Sequence, residues 1–414
     1  MSHVTEAAPE RTRGRHGLNR RVVAAGAGLA VLLLVLAGCS SSGAASSTAS
    51  ASASDKTPIT LGISVPLSGA VGSSCTPMNQ AMLAWFAHVN KTGGINGRQL
   101  KIDNRDDGYN ASQAVTNTKA FIAEKVTAVT GQCGSLQPPA QVPLLTAAGI
   151  PFLFVFGAST TLLNPLSPDY FNLMPTYGDQ LQAVVPFAFN KDGKGSVVVM
   201  NTTTPDSATS TSQIEAAAKK AGGKFLGSFT APPGTADLTP YVLQAKALHP
   251  DYVFLNMIPQ DAAVFTKAMV ANDFIPPKAI VGSNAIGQTT FLATVDPSAQ
   301  AKLMITSDTL VPADSANTEC AKVLIAANIA IQAVTLRGCG TAQVDVKLLS
   351  DIKGTINGAS IVKELESWKN VNASEIYKPL TFSKTNHVGV SSLYVTGVKS
   401  GQFYNLGTVS VPTK

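Results

Sequence analysis

From Thr57 onward, short β-branched runs alternate with longer stretches whose apolar residues recur at helical spacing. Residues 59–65 predict a strand, and 78–91 a helix with Met82, Phe86 and Val89 on one face. Strands follow at 99–104, 126–130 and 152–156, separated by helices at 111–124 and 138–148. Several of these strands are apolar throughout rather than alternating, the pattern of parallel strands covered on both faces. The rhythm restarts after Pro175. A helix at 179–189 and a strand at 196–201 lead to a helix at 211–221 that ends on Gly222-Gly223. Further strands fall at 224–229, 252–256, 279–282 and 303–309. Residues 321–337 predict one apolar helix, about 25 Å long, buried between layers. Residues 390–398 and 402–409 flank Lys399-Ser400-Gly401 and predict a β-hairpin.

The pattern is α/β: two doubly wound parallel-sheet lobes with a late hairpin. Ligands bind such sheets beyond the carboxyl ends of the strands, where helix N-termini offer free N–H groups. The loops to inspect are therefore 66–77, 131–138, 157–163, 202–210, 257–260 and 283–287.

The first residues follow a different pattern. Arg11, Arg13, Arg15, Arg20 and Arg21 precede an uncharged run from Val22 to Leu36, then Leu36-Ala37-Gly38-Cys39. A basic segment, a short apolar segment and small residues before a cut site predict a secretory signal over 1–38. Leu-Ala-Gly-Cys resembles the bacterial lipobox, whose Cys takes a diacylglycerol, so Cys39 is the expected lipidation site. Residues 40–54 are eight Ser, five Ala, one Gly and one Thr. Such a segment buries no apolar area, and 39–56 is expected to be a flexible tether. The expected location is outside the cytoplasm, anchored to the bacterial cell membrane through Cys39.

This reading changes the charge balance. The whole chain carries a formal +6, but residues 1–38 hold five Arg and two Glu, so half of the excess lies there. The remainder has no Lys/Arg run and does not point to nucleic acid. Only 14% of residues are charged, against roughly 25% in ordinary domains. An apolar leader, an uncharged tether and sheets buried on both faces account for that.

Chemistry is sparse. There is no Gly-x-Ser-x-Gly elbow and no phosphate-binding Gly-x-x-x-x-Gly-Lys-Ser/Thr. No Cys-x-x-Cys exists, and His88, His249 and His387 have no partner at ligand spacing, so neither metal nor cofactor is expected. Asp106 and Asp107 are neighbours at a strand end and point apart, which excludes an acid/base dyad. The candidate loops instead offer small hydroxyl and backbone donors at Ser68-Gly69, Ser73-Ser74, Gly134-Ser135 and Ala158-Ser159-Thr160. Each alone serves equally as a helix cap. Converging at one rim, they suit a binding cleft. Cys75, Cys133, Cys320 and Cys339 are an even count, consistent with disulfides in an oxidising compartment.

Several segments carry a family resemblance. Gly62-Ile63-Ser64-Val65-Pro66-Leu67-Ser68-Gly69 resembles the first strand and ligand loop of type I periplasmic binding proteins of the leucine/isoleucine/valine-binding branch, which serve ABC importers. Asn90-Lys91-Thr92-Gly93-Gly94-Ile95-Asn96-Gly97-Arg98 is similar to that family's Asn-x-x-Gly-Gly-Ile-x-Gly turn. Asp106-Asp107 falls where the family has an acidic pair. Pro233 to Pro240 and His249 to Phe254 are similar to a later loop and strand. The resemblance runs from about Pro58 to Val409.

It implies two lobes, 57–174 with 311–383 and 175–310 with 384–414, joined by three hinge crossings and closing on one ligand. It also implies permease subunits as partners. The carboxylate site of the family falls on Gly134, Ser135, Ala158, Ser159 and Thr160. Its cleft aromatics fall on Ser74, near Asp206 and on Ile258. The acid that holds an α-ammonium falls on Asn284, and a neutral amide does not compensate a buried ammonium. Asp206 substitutes only if it points inward. A carboxylate or neutral organic ligand is therefore expected over a leucine-like zwitterion. Cys133 sits where members carry a bridged Cys. The usual partner position, near Tyr109, has none, and Cys75 is expected to take its place. A straight helix between Cys320 and Cys339 would hold them too far apart to bond, so either the helix starts late and Cys320 folds back or they are not partners. The leading function is a solute-binding lipoprotein without enzymatic turnover. A ligand sensor of the same fold signalling to a membrane partner is the alternative.

Overall fold

The computed structural model describes residues 56–69, 71–157 and 160–412. The expected signal, Cys39 and the tether before Lys56 lie outside them. The first half runs β1 (Ile59–Val65), α1 (Gly72–Lys91), β2 (Leu100–Asp106), α2 (Ala111–Ala123), β3 (Ala128–Thr130), α3 (Pro138–Ala147), β4 (Phe152–Leu153) and β5 (Tyr170–Phe171). These strands form one parallel sheet in the order β2-β1-β3-β4-β5. The chain continues with α4 (Tyr177–Asp192), β6 (Ser196–Thr202), α5 (Ser207–Lys220), β7 (Lys224–Ala231), α6 (Thr239–Ala247), β8 (Tyr252–Asn256), α7 (Pro259–Ala271), β9 (Ala279–Gly282), α8 (Thr289–Leu292), α9 (Pro297–Gln300) and β10 (Leu303–Ser307). Three helices follow, α10 (Glu319–Ala326), α11 (Ala333–Asp351) and α12 (Gly358–Ser367), then β11 (Ser392–Lys399) and β12 (Gln402–Ser410). The second sheet is β12-β11-β10-β9-β8-β6-β7. It is parallel except where the C-terminal hairpin β11–β12 joins β10 antiparallel.

Both sheets bury their faces. Every residue of β1 except Thr60 is buried, as are all five of β8. α1 presents Cys75, Met78, Met82, Phe86 and Val89 to the first core, at the three-to-four spacing of one helical face. α11 packs along α1. Gly338 makes this possible, because a Cβ there would meet the carbonyl oxygen of Met78. The chain passes between the sheets three times, and the crossings are laced together. Asn172 N–H donates to His387 O at 2.9 Å, Gly389 N–H to Asn172 O at 2.9 Å, and Leu310 N–H to Ile376 O at 2.8 Å.

Three expectations are corrected. Residues 321–337 are not one helix but the end of α10, a reversal and the start of α11. Asn328 takes left-handed φ of 56°, Asn328 N–H donates to Ile325 O and Ile329 N–H to Leu324 O, which is a Schellman stop. The reversal brings Cys320 and Cys339 together as a disulfide with Cα atoms 5.9 Å apart. α1 begins six residues before the expected start at Met78, with Pro77 inside it, so Ser74 and Cys75 lie on its first turn rather than in a loop. The strand expected at 152–156 stops at Leu153, because Phe154 adopts φ of 55°. The two-residue β5 was not expected at all.

Candidate functional site

The carboxyl ends of both sheets face one cleft of about 970 Å³, its open mouth included. From the first lobe come the opening turns of α1 (Val71, Ser74, Cys75), Tyr109, the β3–α3 loop (Cys133, Gly134, Ser135, Leu136) and Phe156. From the second come Thr204, Pro205 and Asp206 after β6, Asn256 at the end of β8 with residues 257–260 after it, and Ser283, Ala285 and Gln288 after β9. Tyr177, at the start of α4, closes the back. Cys75 and Cys133 are bonded, Cα atoms 5.8 Å apart, so a disulfide ties the first turn of α1 to the β3–α3 loop within one wall.

Local chemistry shapes that wall. Asp107, 1% exposed, accepts from Ser64 Oγ at 2.9 Å, from Gln137 Nε2 at 3.2 Å and from the N–H of Tyr109 at 2.9 Å. Burial pushes its carboxyl above the ordinary range against these donors. Asp106 points the other way. It accepts from Leu67 N–H at 2.9 Å, Ser68 Oγ at 2.5 Å and Gly108 N–H at 2.8 Å. Desolvation opposes ionisation there, but those donors outweigh it and hold the carboxyl below its usual value. Gly134 has φ of 123°, and a Cβ would stand 2.6 Å from both Gln137 Oε1 and Tyr109 Cε2, so only glycine lets the loop close against them. Tyr177 hydrogen-bonds Ser135. Burial, then the nearby Tyr109, raises its hydroxyl above the ordinary tyrosine value, against the lowering effect of that hydrogen bond.

Of the residues expected at the site, Ser74, Gly134, Ser135, Asp206 and Ile258 line the cleft. Thr160 stands at its edge bound to Asp206, and Ala158 and Ser159 lie outside the described residues. Two of the expected residues stand away from the lining. Ser68 is outside it, with its hydroxyl donating to Asp106. Asn284 lies behind the cleft, 2% exposed, with its N–H donating to Gln180 Oε1 at 3.1 Å and its Nδ2 to Asp308 Oδ1 at 2.6 Å. Its side chain is engaged with the carboxylate of Asp308 at a hinge crossing. The sequence reading missed Tyr109, Phe156 and Tyr177. The Asp-Asp-Gly turn before Tyr109 is the one local signal that marked a loop there.

Two parallel-sheet lobes, laced by three crossings around a cleft at their strand ends, define a binding protein of the type I periplasmic class. Comparison with known proteins agrees. A family profile for periplasmic binding proteins matches residues 58–402, and the chain belongs to that family. A Leu/Ile/Val-binding protein homologue of Brucella melitensis is 19% identical over 350 residues, 84% of this chain and 93% of that protein. Among solved structures, an ABC transporter substrate-binding protein from Aeropyrum pernix superposes with a TM-score of 0.77 at 16% identity, covering 87% of this chain and 97% of that one. A fatty acid ABC transporter substrate-binding protein from Thermomonospora curvata gives 0.74 at 18% identity, covering 86% and 93%.

Proposed function

We propose that this protein captures a small organic solute, amino-acid-like, carboxylate or neutral, between its lobes outside the cytoplasm and hands it to the permease subunits of an ABC importer. The carrying observation is the cleft, which takes its walls from both lobes and mixes apolar side chains (Leu136, Phe156, Met257, Ile258) with hydroxyl and backbone donors. Relatives named for branched-chain amino acids and for fatty acids support that range. We assign ligand contact to Ser74, Gly134, Ser135, Ala158, Ser159, Thr160, Asp206 and Ile258. Residues 57–174 with 311–383 act as one closing body and 175–310 with 384–414 as the other. Cys39 carries the lipid, and the Ser/Ala tether lets the clamp reach its permease. The arrangement binds and releases; it does not turn its ligand over.

The test is to purify the chain without denaturation, extract it and identify what leaves by mass spectrometry. The released compound should rebind the stripped protein one to one by calorimetry. Ser135→Trp, which fills the cleft, should weaken that binding at least about tenfold. Extracts without any small molecule, together with no binding across a screen of amino acids, carboxylates and amides, would count against the proposal.

A further inference from the structure

Asp206 occupies the N-cap position of α5, where a carboxylate ordinarily turns back onto the helix's own free N–H groups. Its side chain makes no such bond. It reaches across to the other lobe instead. Thr160 donates its backbone N–H to both carboxylate oxygens, at 3.2 and 3.3 Å, and its hydroxyl to Oδ1. Thr160 opens a short 3-10 turn, Thr160–Leu162, and belongs to the loop that the resemblance assigns to a ligand's carboxylate. The Thr160 donors of that loop are taken by a carboxylate of the protein itself.

The surroundings sharpen the consequence. Asp206 also lines the cleft, and among the described lining residues there is no Lys, Arg or His. A carboxylate ligand would have to evict Asp206 from charge-assisted hydrogen bonds and then lie beside its uncompensated charge. An uncharged ligand faces neither cost. It meets the apolar side chains of Leu136, Met257 and Ile258 and the hydroxyls of Ser74 and Ser135 with the latch in place.

We infer that Asp206 is an intramolecular occupant of the Thr160 donor site, which latches the two lobes and makes the cleft select an uncharged ligand with an apolar body over a carboxylate. The inference rests on the solute-binding reading, but its test needs no natural ligand. Small-angle scattering compares the wild type with Asp206→Ala and Thr160→Val, and acetate is the probe carboxylate. Asp206→Ala should show a larger radius of gyration. Acetate, titrated by calorimetry, should bind it at a concentration at least about tenfold lower than any binding to the wild type. Thr160→Val should open as well and bind acetate more weakly than Asp206→Ala. Wild-type dimensions in Asp206→Ala, or acetate binding it and the wild type alike, would overturn the latch. Should Asp206→Ala fail to fold by circular dichroism, Asp206→Asn serves. It keeps the shape and loses the charge, and an unchanged radius there overturns the inference equally. Ligand capture by the wild type decides the solute-binding reading separately.

Discussion

Arg337 is a cation buried in α11, its guanidinium 4.3 Å from the centre of the Phe156 ring that lines the cleft. Burial alone would lower its affinity for a proton, but its ion pair with the equally buried Asp308 reverses that and keeps it charged. Asn284 gives Asp308 a second donor. The pair joins the first lobe's long helix to a hinge crossing directly behind the ligand wall. Removing one partner strands the other charge away from water. Arg337→Ala or Asp308→Ala should therefore cost about 3–5 kcal/mol in denaturant unfolding, and replacing both by apolar residues should cost less than either alone. This is also where the structure departs from the sequence reading. Family position set Asn284 among the ligand contacts, where the family has an acid for an α-ammonium. Its actual neighbour, Asp308, is 24 residues on and meets it because β9 and β10, whose ends they follow, are paired in parallel in the second sheet.

Elements with strong periodicity were legible, and those set by a single residue's backbone were harder to read. The parallel strands other than β4 and β5, together with α2, α4 and the C-terminal hairpin, follow from apolar runs and turn residues. The false helix over 321–337 shows what periodicity omits. Val323 to Leu336 contains no charge, so its composition suits continuous burial, yet Asn328 stops the helix in the left-handed region. Gln332 and Thr335 then form a capping box that restarts it. The Asn and the Gln-x-x-Thr were in the sequence and constitute the missed signal. The reversal places Cys320 against Cys339, closing a 19-residue loop. Chain-entropy arguments give such a loop about 3 kcal/mol, through restriction of the unfolded state. Replacing both cysteines by serine should lower unfolding free energy by about that amount and leave cleft binding, measured by calorimetry, unchanged. The Cys75–Cys133 pair belongs to the cleft wall. Its removal should lower binding as well as stability, and the contrast between the two double variants separates a brace from a site staple.

At the scale of the whole molecule, the proposed clamp needs the three crossings to bend without coming apart, and His387 sits among them. Its ring stacks on Phe171 with centroids 3.8 Å apart, and its Nδ1 lies 2.9 Å from Tyr170 O and 3.1 Å from Ser167 O. Two carbonyl acceptors require that Nδ1 carry the proton and donate. Nε2 has no hydrogen-bond partner among the described residues and stands 4.0 Å from Glu366 Oε1. Burial holds His387 below the ordinary histidine value, outweighing the raising effects of those carbonyls, Glu366 and Asp169. The unfolded chain therefore binds this proton more readily than the folded one. The sign follows from linkage: the contribution to stability is complete above the unfolded value of about 6.5 and is lost as pH falls through the folded one. Unfolding free energy should decline on acidification below about pH 6.5, and His387→Gln, which retains a donor to the two carbonyls, should flatten that slope. Denaturant titrations at pH 5 and pH 8 on both proteins measure it. Parallel slopes would remove His387 from the account and leave the carboxylates as the source of the acid response.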